Sequence, residues 1–292
     1  MAFKAGFISI LGKPNAGKSS LLNALIGEKM AITSSKVQTT RHRIKAFLNT
    51  ADYQLVFSDT PGIIEPKYRL HHKMMGYVKA AIEDADLALL LYDLTENAVA
   101  QAHDLFASLD LKVPAILVCN KSDAVSKQTV EAAVEQFARL GIYEKIITVS
   151  ALQKSGLEEL LEEILRHIPE SQPYFSPEDL SDLPVKFFVS EIIREKVFEL
   201  FHQEIPYHTA VVIQEFKEKE TLIKIRADIV VQRETQKLIL IGEKGSMIKK
   251  LGTEARREIE QFVDSKVFLE LFVKVRPKWR DRDMYLKEYG YD

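Results

Sequence analysis

Apolar residues in the first half of the chain fall into short unbroken runs, with helical stripes between them. Residues 6–11 (GFISIL), 54–57 (QLVF), 87–92 (LALLLY), 115–119 (AILVC) and 145–149 (KIITV) are of strand length. Runs without polar alternation suit strands covered on both faces, as in a parallel sheet. Stretches near 73–83, 98–108 and 129–140 have helical spacing, and Leu157, Leu160, Leu161, Ile164 and Leu165 form one stripe. Strand alternating with helix predicts a doubly wound α/β domain over residues 1–168. The pattern then breaks. Residues 169–184 carry Pro169, Pro173, Pro177 and Pro184 among serines and acids, the composition of a linker. Beyond it, Ser190 is placed to cap a helix bearing Ile192, Ile193, Val197, Leu200 and Phe201. Strand-like runs follow at 209–216 and 222–231, then a helix to about 263 and a strand at 267–275. This predicts an α+β domain over 185–280, with a tail at 281–292.

The first apolar run leads into Gly12, Lys13, Pro14, Asn15, Ala16, Gly17, Lys18 and Ser19, and a helix with Leu21, Leu22 and Leu25 leads out. The spacing is that of a phosphate-cradling P-loop, and strand–loop–helix is the context that gives the motif meaning. Glycines let backbone N–H groups turn toward an anion, and the helix N-terminus adds its positive end. Lys18 is placed to reach the β- and γ-phosphates. The Ser19 hydroxyl is placed to hold Mg²⁺, and Ser20 extends the contact.

Three further clusters stand where strands should end. Asp59, Thr60, Pro61 and Gly62 follow the run at 54–57, placing a carboxylate for Mg²⁺ and a Gly62 N–H for the γ-phosphate. Asn120, Lys121 and Asp123 follow the run at 115–119. A carboxylate at Asp123 can accept two N–H bonds from guanine, which adenine cannot offer. Each charge-assisted bond contributes roughly 1.5–3 kcal/mol. Ser150 and Ala151 follow the last run, where a backbone N–H can meet guanine O6.

Composition narrows the reading. At 292 residues the chain has room for two domains, and its net charge of −2 excludes a generic polyanion binder. A single cysteine, Cys119, excludes an internal disulfide and fits a reducing compartment. The first strand begins almost at once, which leaves no room for a leader, and no apolar run approaches the ~20 residues that span a bilayer. The expectation is a cytosolic protein.

In order and spacing these clusters resemble the five motifs of P-loop GTPases. The resemblance implies GTP and GDP as ligands and Mg²⁺ held by Ser19, Thr40 and Asp59. Lys18, Thr40 and Gly62 would serve hydrolysis. Thr40 is chosen over Thr39 because translation-factor-related GTPases with a Thr-Thr-Arg run use the second threonine. Ile63 stands where Ras-like enzymes carry a water-orienting glutamine, so intrinsic hydrolysis should be slow. Asn15 has two readings. In similar GTPases this asparagine recruits K⁺ beside the phosphates; alternatively it only bonds the loop backbone.

In the second half, Ile241, Gly242, Glu243, Lys244, Gly245, Ser246, Ile248, Lys249 and Lys250 form a G-x-x-G loop between an apolar segment and a basic amphipathic helix. This matches the KH domain, whose loop clamps about four nucleotides. The order of a helix and two strands before the loop resembles type II. Ile241, Ile248 and Ile229 are candidates for the groove under the bases. Residues 238–241 read locally as a strand, yet in that fold they end a short helix. Lys278, Trp279, Arg280 and Arg282 make a basic-aromatic tail, read as packing on the domain rather than stacking on a base.

A P-loop GTPase domain followed by a type II KH domain resembles the Era-type GTPases over essentially the whole chain. That resemblance implies binding to the 3′ end of 16S rRNA, a role in 30S subunit assembly, peripheral association with the cytoplasmic membrane, and a monomer. The alternative from another class is a GTP-gated signalling adaptor that docks protein or membrane partners and keeps only a vestigial RNA site. The guanine assignment has a direct check. Asp123→Asn should move nucleotide preference from guanosine to xanthosine in a competition assay, and retained GTP selectivity would refute it.

Overall fold

The computed structural model describes residues 2–34 and 36–291. Met1 and Asp292, the outer limits of the expected first domain and tail, lie outside the described residues. The chain divides into two compact units. The first holds residues up to Glu65 and Met74–Asp182; the second holds Pro66–Lys73 and residues from Leu183 onward.

In the first unit the elements run β1 (Lys4–Gly12), α1 (Lys18–Ile26), β2 (Ile44–Asn49), β3 (Tyr53–Asp59), α2 (Arg69–Asp84, its last eleven residues in this unit), β4 (Leu87–Asp93), α3 (Val99–Ala107), β5 (Ala115–Asn120), α4 (Lys127–Ala138), β6 (Lys145–Thr148) and α5 (Leu157–His167). The sheet order is β2-β3-β1-β4-β5-β6. All neighbours are parallel except β2, which pairs antiparallel with β3. The unbroken apolar runs are explained by burial: Ile8, Ile10, Leu55, Phe57, Leu89, Ile116 and Val118 are fully covered. Strand β1 has parallel neighbours on both sides, and its C-terminal end opens into the loop that precedes α1. That is where an open α/β sheet presents its ligand crevice. Strand β2, which the apolar pattern does not reveal, is a sheet edge.

The proline-rich stretch expected as a linker at 169–184 is tied to this unit as far as Asp182. The buried Gln54 accepts from Tyr174 N (2.7 Å) and Phe175 N (3.0 Å) and donates to Phe175 O (2.9 Å). Asn49 donates to Pro177 O and Asp179 O, and Phe47 N donates to Leu180 O. Phe175 stacks on Phe47 at 4.1 Å. The segment is thus an ordered strap along β2 and β3. Prolines and serines leave its own backbone groups free, and side chains of the sheet take them up.

The second unit runs α6 (Val185–Leu200), β7 (Ala210–Glu218), β8 (Ile223–Val231), α7 (Glu234–Ile241), α8 (Ser246–Phe262), β9 (Val267–Val275) and α9 (Asp283–Glu288). Strand β8 is central, antiparallel to β7 and parallel to β9. Helices α6, α7 and α8 share one face of this sheet around Val189, Ile193, Val197, Ile225, Ile229, Leu240, Leu251 and Ile259. Three local expectations are corrected. Ser190 lies inside α6, where its hydroxyl donates to Phe187 O at 2.7 Å; the helix starts after Pro184. Ile229 is fully buried in the core and lines no groove. Residues 238–241 are helical, as the fold requires, because Leu240 is drawn into the core and Gln236 Oε1 caps Gln232 N and Arg233 N at the helix start. Trp279 is fully buried, donates from Nε1 to His208 O at 2.9 Å and lies beside Tyr289 and Tyr291, so it packs on the domain.

Gln54→Leu removes the donor and acceptor that hold the strap. It should destabilise the first unit by about 1–3 kcal/mol in thermal melting, through backbone groups left unpaired, and open residues 171–182 to limited proteolysis. An unchanged cleavage pattern would show that the strap does not depend on Gln54.

Candidate nucleotide and RNA sites

The P-loop turns on two left-handed residues, Asn15 (φ 64°) and Gly17 (φ 94°), before α1 begins at Lys18. Close approach also dictates glycine here. A Cβ on Gly17 would meet Asn120 Nδ2 at 2.3 Å, and one on Gly62 would meet Pro14 N at 2.5 Å. The loop after β3 therefore lies directly against the P-loop. It is fastened by Ile63 N donating to Gly12 O (3.0 Å) and Thr60 Oγ1 donating to Ile10 O (2.7 Å). The Ile63 side chain packs into the cluster around Leu11 and Val78.

Inside the cradle, Lys18 is buried and donates to Lys13 O (2.7 Å) and Gly12 O (3.3 Å). Burial lowers its ammonium to about 8, with the Asp59 carboxylate opposing that shift. Ser19, Thr40 and Asp59 converge. The Ser19 hydroxyl donates to Asp59 Oδ2 at 2.6 Å, the two hydroxyls lie 2.8 Å apart, and Thr40 Oγ1 reaches Asp59 Oδ2 at 3.3 Å. Asp59 is fully buried, and burial pushes its carboxyl pKa up. Its Oδ1 is buried without a hydrogen-bond partner among the described residues. Three hard oxygens around an unsatisfied carboxylate oxygen fit Mg²⁺, so these residues could hold that ion. Of the two threonines, Thr39 bonds its own loop through Lys36 O, and Thr40 is the one aimed at Asp59. Thr33, Ser34 and Gln38 also line the cavity, of about 110 Å³, beside Lys18 and Ser19. No periodicity marks those residues in the sequence.

At the far end, Asn120 acts as a cross-tie. It donates to Ala16 O (3.0 Å) and accepts from Ala151 N (3.1 Å), joining the P-loop to the loop after β6. The Ala151 N–H expected for guanine O6 is therefore engaged by Asn120 here. The Ser150 hydroxyl bonds Asp123 Oδ1 and receives Gln153 N at 3.0 Å, which orients the Asp123 carboxylate. Lys121 sits in left-handed backbone (φ 65°) with its ammonium 2.5 Å from Asp93 Oδ2. Lys13 pairs with Glu96 at 3.1 Å. Asp93, the last residue of β4, and Glu96, in the loop after it, are thus braces for two lysines of the site, and neither follows from a motif. The exposed Asn15 side chain makes no hydrogen bond to the loop among the described residues.

In the second unit Gly242 (φ 73°), Lys244 (φ 50°) and Gly245 (φ 80°) form a left-handed loop that delivers α8 at Ser246. A Cβ on Gly242 would strike Met247 at 2.7 Å, whereas one on Gly245 meets only Ile248 at 4.0 Å. Glu243, Lys244, Ser246, Lys249 and Lys250 are exposed, and Ile241 and Ile248 are half-buried. Leu238 and Ile239 on α7, exposed by 66% and 51%, add an apolar rim that the sequence pattern does not single out.

The brace at Asp93 has a measurable consequence. Asp93→Asn frees Lys121 and should speed GDP release roughly tenfold in stopped-flow fluorescence, the cost of one charged hydrogen bond. Asp93→Glu should restore part of that loss. Unchanged release in Asp93→Asn would remove Asp93 from the site.

Comparison with known proteins agrees with this geometry. Residues 7–121 match the family described as 50S ribosome-binding GTPase, and residues 204–280 match the KH domain. GTPase Era of Geotalea uraniireducens is 45% identical over 99% of this chain and 98% of its own length. GTPase Era of Ruminiclostridium cellulolyticum is 41% identical over 100% and 98%. Two solved structures superpose with TM-score 0.96 at 38% identity over 99% of both chains. One is a variant of Aquifex aeolicus Era bound to GDP·AlF4⁻; the other is Era with MgGDPNP and nucleotides 1506–1542 of 16S ribosomal RNA. On full-length identity, both domain matches and the assembled P-loop cradle, this chain belongs to the Era GTPase family.

Proposed function

We propose that the chain is a GTP-hydrolysing switch that binds the 3′ end of 16S rRNA through its KH domain and acts in maturation of the 30S subunit. The observation that carries this reading is the convergence of Ser19, Thr40 and Asp59 beside Lys18. Thr40 reaches this cluster from the loop ahead of β2, so that loop's position depends on what Asp59 and Ser19 hold. Lys18 binds the β- and γ-phosphates, Gly62 N–H meets the γ-phosphate, and Asp123, oriented by Ser150, selects guanine. Mg²⁺, when bound, screens the phosphate charge between Ser19, Thr40 and Asp59. Ile63 has no polar atom to orient water, so unaided hydrolysis is slow. Asn15, free of loop bonds, is the position at which K⁺ would supply the missing positive charge.

In the KH domain, Gly242–Gly245 admits phosphates close to the backbone, and Lys244, Lys249 and Lys250 supply charge. Ile241 and Ile248 form the apolar floor for bases. A domain layout of 1–168, 169–184, 185–280 and 281–292, residence in the cytoplasm with peripheral membrane contact, and a monomeric state complete the proposal.

The test is fluorescence anisotropy with a single-stranded fragment of the 16S 3′ end, alongside a phosphate-release assay. Binding should be tighter with a non-hydrolysable GTP analogue than with GDP and should weaken steeply with salt. Gly245→Asp should abolish it. Hydrolysis should be faster with the RNA, and faster in K⁺ than in Na⁺. RNA affinity unchanged by Gly245→Asp would favour the adaptor reading instead.

A further inference from the structure

Three helices cover one face of the β7–β8–β9 sheet, and alternate residues turn to the other face. On β8 the inward set is Ile223, Ile225, Ala227, Ile229 and Val231; Lys224 and Arg226 turn outward at the open end, while Asp228 and Val230 turn the same way but are buried. On β9 Val267, Leu269, Leu271, Val273 and Val275 face the core, leaving Phe268, Glu270, Phe272 and Lys274 outward. Phe268 and Phe272 are 51% and 42% exposed. Two large aromatics this exposed on one sheet face call for an explanation beyond folding.

Their surroundings mix charges: Lys217 and Lys224 pair with Glu215, and Lys224 also with Glu270. The Arg226 guanidinium lies over the Phe272 ring, 4.6 Å from its centroid, with no carboxylate partner among the described residues. Lys224 stands opposite Phe268 in the register. A concavity of about 550 Å³ beside them is lined by Lys217, Arg226 and Lys274 against a single acid, Glu215. Lys274 is fixed from below by the buried Asp228 at 2.5 Å, which holds its ammonium at the surface. Aromatic rings interleaved with cations on a sheet are the chemistry that stacks bases and follows a phosphate backbone. An apolar peptide would bury the Arg226 guanidinium, the cation here with no ion pair among the described residues, without a counter-charge. Position adds a second argument. Strand β9 is the sheet edge and packs against α7 and α8, the helices that carry the Gly242–Gly245 loop.

We propose that the outward face of β9 and β8 is a stacking platform for single-stranded RNA, with bases on Phe268 and Phe272 and phosphates along Lys217, Arg226 and Lys274. It extends the strand clamped at Gly242–Gly245 around the sheet edge, and so rests on the reading of that loop as an RNA clamp. The two rings, four residues apart, are separated by roughly 13 Å along the strand, so successive stacked bases need not be neighbours in the RNA.

The experiment uses the full chain with a non-hydrolysable GTP analogue and two labelled mixed-sequence single strands. One, of about five nucleotides, fills only the loop site; the other, of about twelve, can reach the platform. The variant carries Phe268→Ala and Phe272→Ala, both at exposed positions, with Phe268→Tyr and Phe272→Trp as the conservative control. The expected result is an unchanged affinity for the short strand, a loss of about tenfold for the long one, recovery in the control, and a shallower salt dependence in Arg226→Gln. Equal binding of the long strand by the alanine variant and the parent overturns the platform. So does a dimer of the parent in sedimentation that the alanine variant lacks, because the face would then join two copies. Gly245→Asp is read separately. If it leaves short-strand binding intact, the loop reading fails, while the alanine variant still decides the platform on the long strand.

Discussion

A buried carboxylate with one unpaired oxygen is the constraint on which the first unit depends. Asp59 ends β3 at the open side of the sheet, where Ser19 and Thr40 bond Oδ2 and Oδ1 has no hydrogen-bond partner among the described residues. An isolated buried charge is costly, and burial accordingly raises the Asp59 carboxyl pKa and lowers that of the Lys18 ammonium. Neither group is at ease until an anion and a cation arrive together. A nucleotide triphosphate with its divalent ion supplies both. Because Thr40 belongs to the loop ahead of β2, satisfying the carboxylate also fixes that loop, and β2 in turn carries the strap that leads to α6.

The second unit solves a different problem. A helix must start from a loop that lets phosphates approach, and three positive-φ residues within four positions achieve this at Gly242, Lys244 and Gly245. Gly242 is demanded by packing on Met247, whereas Gly245 has open space for a side chain and is demanded only by its backbone angle. A substitution at Gly245 therefore acts on the loop and its ligand more than on the core.

Much of this was legible in the sequence because the motifs sit at strand ends, and strand ends converge in a parallel sheet. The P-loop, Asp59, Asn120, Asp123 and Ser150 all meet as their spacing implies. Asp93 was not legible. It terminates an apolar run like any strand end, and its partner Lys121 becomes its neighbour only through the register that sets Asp93 beside Asn120. The strap has the composition of a linker; what orders it are polar side chains of β2 and β3, which no pattern within the strap reveals. Ile229 lies in a continuous apolar run, so only the pairing of β8 decides which face it takes. The segment 238–241 shows tertiary packing overriding β-branched propensity.

The central claim is that the unpaired oxygen of Asp59 makes nucleotide binding depend on a divalent ion. The direct measurement is the dissociation rate of fluorescent GDP with and without a chelator, in the parent and in Asp59→Asn. The account predicts that chelation speeds release by about tenfold or more in the parent and has little effect in the variant. An equal chelator effect in both would contradict it.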